Sequence, residues 1–167
     1  MSPLVLTLIL VTAAALSALV AGLLFGFACV VMPGLATLPD RDFLRAFQVI
    51  DRVIQNNQPL FMLVWVGSAL SVAAAGVLGV FGPLPGLDRA LLVASAVLFI
   101  GGVQAPTASI NIPLNNQLQA TRVDTLDDGG AAEARRRFEP RWNQWNILRT
   151  VFAVLTVALL LSVVARL

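Results

Sequence analysis

Trp142, Trp145, Asn146 and Arg149 fall on one face of a helix that leads into a long apolar run. An indole, an amide and a guanidinium are hydrogen-bond donors: together they hold an anionic or carbonyl oxygen and stack on a flat ring, but none is a base. Two readings fit. Tryptophans form interfacial belts and arginines snorkel from span ends, which accounts for Trp142 and half of Arg149. Asn146, on the inward face, wants a partner. Arg149 lies about 10 Å beyond Trp142 along a helix, a depth at which arginine ordinarily meets a polar pocket. Pocket residue and snorkelling residue weigh equally here.

A second polar cluster precedes it. Gln104, Thr107, Ala108, Asn111 and Asn115 recur at helical spacing, so an unbroken helix would carry them as one stripe. Pro106 and Pro113 argue against an unbroken helix, since each removes a donor and disfavours helix before it. Their freed carbonyls, near Gly102 and Ser109, would then face a cavity. The run Asn111 to Gln117 suits a turn as readily as ligand contact.

The acids lie elsewhere. Eight of the nine fall in two long polar connections and Asp88 in a short one, so no span carries a carboxylate and a proton-coupled transporter is disfavoured. Asp51, at the edge of an amphipathic helix's apolar face, is the only acid placed near a membrane-level cavity. Histidine and tyrosine are absent and Cys29 is the only cysteine. Zinc hydrolases, histidine triads, histidine-ligated haem and internal disulfides are thereby excluded. Asp124, Asp127 and Asp128 lack the spacing of a calcium loop and read as a solvated turn. No metal and no cofactor is expected.

What must position these groups is a membrane bundle. The 167 residues are 58% hydrophobic and 12% charged, against about 25% charged in ordinary soluble domains. Four apolar stretches, about 4–32, 59–81, 90–110 and 147–165, are long enough for a hydrocarbon core of about 30 Å. The first has no basic n-region and is too long for a signal peptide, so it is expected to be retained. The expected fold is an all-α integral membrane four-helix bundle, one domain over residues 1–167. In the first long connection Phe43, Phe47, Ile50, Ile54 and Asn57 share one face opposite Arg41, Arg45, Gln48, Arg52 and Gln55, which predicts an amphipathic helix at the interface. Gly129-Gly130 is expected to break the 124–140 stretch, with 131–139 helical.

All eleven basic residues are arginine. Nine serve the two long connections, and only Arg89 and Arg166 the other side, which predicts both connections on the cytoplasmic side of the membrane and both termini outside. This is a topology signal rather than a nucleic-acid footprint. Small-residue rows at Ala18, Gly22, Gly26 and at Gly67, Ser71, Ala75, Gly79 predict close helix packing, within the bundle or between protomers of a homo-oligomer.

Asn111-Ile-Pro-Leu-Asn115-Asn116-Gln-Leu118, followed by Arg141-Trp142-Asn-Gln-Trp145-Asn146-Ile-Leu-Arg149-Thr150, resembles the anthrone oxygenase-like family of small four-span membrane proteins. Phe25-Gly26-Phe27 through Pro33-Gly34 and the Phe43–Asn57 helix are similar too. The resemblance implies oxidation of a hydrophobic phenolic or polycyclic, anthrone-like compound by dioxygen, beginning with loss of an acidic C–H proton. Arg149, Asn146, Asn111 and Asn115 would supply oxyanion donors, Trp142 and Trp145 the stacking, and Asp51 the base; Asn57 and Gln104 would join the substrate contacts. The other reading is a non-catalytic membrane protein, a partner subunit or one binding a lipid, a quinone or another apolar ligand.

Overall fold

The computed structural model describes residues 2–167, with Pro3 described by its backbone alone. Four helices are long and apolar enough to cross a membrane, which makes this an integral membrane protein. The first, α1, runs as Pro3–Gly26, widens into a π-helical turn at Phe27–Val31 and ends with Met32–Ala36. Next come α2 (Asp40–Gln55) and α3 (Pro59–Phe81). The third long helix, α4, spans Gly86–Ala120, and α5 covers Asp128–Val164. A single short 3-10 turn, Val123–Thr125, links the last two.

Local chemistry sets the ends. The Ser2 hydroxyl caps α1 by accepting from Val5 N at 3.3 Å, ahead of Pro3. Gln58 Oε1 accepts from Phe61 N at 2.5 Å, with Pro59 in the first turn of α3. At the far end of α3, a Cβ on Gly82 would lie 2.4 Å from Leu78 O, so only glycine lets the chain turn there.

Three boundaries differ from expectation. The first span continues through Pro33 and Gly34 to Ala36. Pro106 and Pro113 do not end α4. Two π-helical turns, Ile100–Gln104 and Thr107–Asn111, flank Pro106 and shift the carbonyl that its ring would meet in a regular helix. Thr107 and Ser109 donate to Val103 O and Ala105 O at 2.7 and 2.8 Å, satisfying carbonyls at the break. Pro113 sits in the first turn of the regular segment Ile112–Ala120, where its missing donor costs nothing. Nor does Gly129-Gly130 break the chain. Asp127 Oδ1 accepts from Gly130 N at 2.7 Å and starts α5 there, so the fourth span is the second half of a 37-residue helix.

A hydrocarbon core of about 30 Å uses roughly 20 residues of each helix. Counted from the end where α3 turns into α4, that core reaches Leu24 on α1, Phe61 on α3, Pro106 on α4 and Gln144 on α5. The remainder of α1, α4 and α5 overhangs on the arginine-rich side, where the predicted amphipathic helix α2 packs into it. Phe43, Leu44 and Phe47 bury against Met32, Leu114, Leu118, Phe138 and Trp142, a second core distinct from the one inside the membrane. Arg135 clasps this cap. Its guanidinium lies 4.4 Å from the Phe43 ring centroid and donates to Asp40 Oδ1, Leu38 O and Ala36 O at 3.0–3.1 Å, capping the end of α1.

The two small-residue rows part ways. In the α3 row a Cβ on Gly79 would press on Arg89 O and Leu92 Cβ at 2.9 Å, against α4, whereas one on Gly67 would meet Leu16 of α1 at 3.1 Å. Gly22 and Gly26 meet nothing within 4 Å and face outward.

Candidate functional site

At the level where the membrane core gives way to the cap, the helices enclose a cavity of about 330 Å³. Leu24, Phe27, Phe47, Phe61 and Trp65 give it apolar walls, and Phe61 and Trp65 stack with centroids 5.5 Å apart at 17°. Its polar groups come from α2, α4 and α5.

Arg149 enters from α5 and is 4% exposed. Nη1 donates to Thr107 Oγ1 at 2.9 Å and Nη2 to Asn146 Oδ1 at 3.1 Å, while Nε has no partner among the described residues. Among those residues no carboxylate pairs with the guanidinium; its Cζ lies 5.9 Å from the Trp142 ring centroid. Asn146 is itself fixed, donating Nδ2 to Leu24 O at 3.0 Å, just before the π turn of α1. Beside them Asn111, 2% exposed, leaves both amide atoms unpartnered. Buried polar atoms ordinarily find partners, so a site that strands an amide and a guanidinium nitrogen together fits a ligand oxygen.

The acid comes from α2. Asp51 is 3% exposed and meets no cation among the described residues. Oδ1 accepts from Asn115 Nδ2 at 2.8 Å, and Oδ2 accepts from Gln55 and Gln119, both at 2.9 Å. Trp142 Nε1 donates to Asn115 Oδ1 at 2.9 Å, which ties the indole to the same network. Gln119 also holds Gln48 O at 2.9 Å, locking α2 to the end of α4.

Thus Arg149, Asn146, Asn111, Asn115, Asp51 and Trp142 all line one cavity. Three of the residues named from sequence do not. Asn57 is exposed and adopts a left-handed conformation (φ 56°), reversing the chain between α2 and α3 instead of completing the apolar face of α2. Trp145 is half-buried outside the cavity. Gln104 also points elsewhere, its Nε2 buried without a partner among the described residues. The extra residue of a π turn between it and Asn111 rotates the helix by about 100°, which removes Gln104 from the stripe. Gln55 and Gln119 were missed. Gln119 lies four residues after Asn115 and prolongs the stripe; Gln55 belongs to the polar face of α2, which here bends over the cavity.

Among the described residues no group of three or more histidine, cysteine or acidic side chains is placed to hold a metal ion. No curated protein and no solved structure matches the chain. A model of the anthrone oxygenase family matches residues 49–159, from within α2 to near the end of α5, and takes in every polar residue of the cavity. With two-thirds of its length matched, the chain belongs to the anthrone oxygenase family.

Proposed function

We propose that the cavity oxidises a flat, hydrophobic, carbonyl-bearing ring compound of the anthrone type with dioxygen. The observation that carries this reading is that Arg149, with no carboxylate partner among the described residues and its Nε unpartnered, lines the same cavity as the unpartnered amide of Asn111. Fixed donors in a water-poor site favour a developing oxyanion, one such donor being worth about 3 kcal/mol. Asp51 accepts a proton from the ring methylene, and the substrate carbonyl becomes an enolate whose oxygen faces Arg149 and Asn111. The electron-rich carbon gives its electrons to dioxygen and a C–O bond forms. Asp51 returns its proton to the peroxide, and the resulting hydroperoxide loses water, leaving a second carbonyl, so one substrate and one dioxygen yield one quinone and one water. The substrate supplies the electrons, so the scheme calls on no metal or organic cofactor. The arginine-rich cap lies in the cytoplasm in this reading, in keeping with the charge bias of the connections.

The apolar walls equally favour holding a lipid or quinone without chemistry, and one experiment separates the two. Purified protein mixed with anthrone is expected to consume oxygen faster than autoxidation, with an equal amount of anthraquinone formed. Uptake no faster than autoxidation overturns the oxidase reading and leaves the binding one.

A further inference from the structure

We propose that the cavity is reached sideways from the bilayer, through a mouth beside the splayed end of α3, lipped by Leu23 of α1, Phe61 of α3 and Ile112 of α4. The ligand is then a compound dissolved in the hydrocarbon rather than in water. This rests on reading the cavity as a ligand site and concerns how that site is filled.

Three observations converge on that mouth. First, α3 stands away from the bundle at one end: its buried residues begin only at Ser68, while Phe61, Met62 and Trp65 reach the cavity and remain half-buried. Second, Leu23 and Ile112 line the cavity yet are 37% and 47% exposed. A residue that both lines a cavity and meets the outside marks an opening; Leu23 and Ile112 are apolar, whereas the other two exposed lining residues, Gln55 and Asn116, are hydrogen-bonded to each other. Third, the opening sits where the hydrocarbon ends, beside Leu24, Phe61 and Pro106 by the span count above. Leu23 and Phe61 lie at its edge and meet acyl chains, while Ile112, about 9 Å past Pro106 along α4, forms the headgroup-side lip.

The aqueous flank is tied across. Gln55 Nε2 donates to Asp51 Oδ2 at 2.9 Å and to Asn116 Oδ1 at 3.1 Å, bridging α2 to α4. Asn115, bonded to both Asp51 and Trp142, closes the next rung. A compound arriving from water must break this ladder, whereas one arriving from lipid passes only side chains. A hydrophobe is moreover concentrated in the bilayer by its own transfer free energy, so a lateral mouth draws on the larger reservoir. The stacked rings of Phe61 and Trp65 form one jamb and suit a flat molecule.

The test reads the position of lipid, not catalysis. The chain has three tryptophans, and W65F/W145F leaves Trp142, on the inner wall, as the only reporter. In phosphatidylcholine vesicles with acyl chains brominated at mid-length, Trp142 fluorescence is expected to be quenched, and Leu23→Phe with Ile112→Phe is expected to remove at least half of that quenching. Leu70→Phe, on the lipid-facing side of α3, should remove none. Acrylamide, a quencher dissolved in water, should act weakly throughout. Should the double tryptophan variant not fold, the same comparison in the native set decides, through the share of quenching that the two phenylalanines abolish. Quenching unchanged by the filled mouth, or acrylamide outdoing the brominated lipid, overturns the proposal. Failure of anthrone oxidation alone counts against the chemistry above and leaves the mouth standing.

Discussion

Arg149 and Asp51 line the same cavity without forming an ion pair. The guanidinium is held by Thr107 and Asn146, the carboxylate by three amides, and Trp142 stands between the two sets, near the first and bonded to the second. An ion pair would have satisfied both charges at the expense of the site. Kept apart, they present a ligand with a donor-rich wall and an acceptor wall.

Arg149→Met tests the donor wall. Turnover of anthrone is expected to fall by about 100-fold or more, as removal of one preorganised oxyanion donor does elsewhere. Stability is expected to stay level or rise, because the variant deletes a buried charge that no carboxylate compensates. Thermal unfolding in detergent and oxygen uptake on the same sample give both numbers. A large loss of Tm with turnover preserved contradicts the assignment.

Asp51→Asn tests the other wall. An amide there must turn its NH2 toward either Asn115 or the pair Gln55 and Gln119, setting donor against donor. A destabilisation of about 1–3 kcal/mol is expected, together with slower loss of deuterium from the methylene of labelled anthrone. Unchanged deuterium loss removes Asp51 from the proton step.

Trp142→Phe keeps a ring beside Arg149 and deletes only the donor to Asn115. The expected cost is about 1 kcal/mol in stability. The KM for anthrone should rise more than kcat falls, since the network orients the cavity wall and does not touch the reacting carbon. Equal losses in both parameters argue for a direct role.

Gly102→Ala and Gly22→Ala form a matched pair. A Cβ on Gly102 lands 2.5 Å from the Phe152 ring, whereas one on Gly22 meets nothing within 4 Å. Overpacking is expected to cost the first about 1–3 kcal/mol, and the second is expected to gain about 0.5–1 kcal/mol from reduced backbone entropy. Their Tm values should move in opposite directions.

Much of the architecture is written in plain apolar runs, which is why four spans and an amphipathic connecting helix can be read without coordinates. The boundaries are harder. Pro33, Pro106 and Pro113 look like breaks because a proline in a regular helix is one; that π-helical turns absorb Pro106 depends on tertiary support that no local pattern carries. The same turns explain why Asn111 and Asn115 line the cavity while Gln104 does not. Asn57 fails for a different reason: the period of α2 extends to it on paper, but the helix has already ended at Gln55. Gln55 lies outside any face-based expectation, because its importance comes from α2 folding back over the bundle.

The cavity's polar lining is made of amides, one hydroxyl, two indoles, a guanidinium and a carboxylate. Histidine is absent from the chain, and the lone thiol, Cys29, is elsewhere. An electrophilic product formed there meets no thiolate and no imidazole that it could alkylate, so turnover is expected to leave the host unmodified.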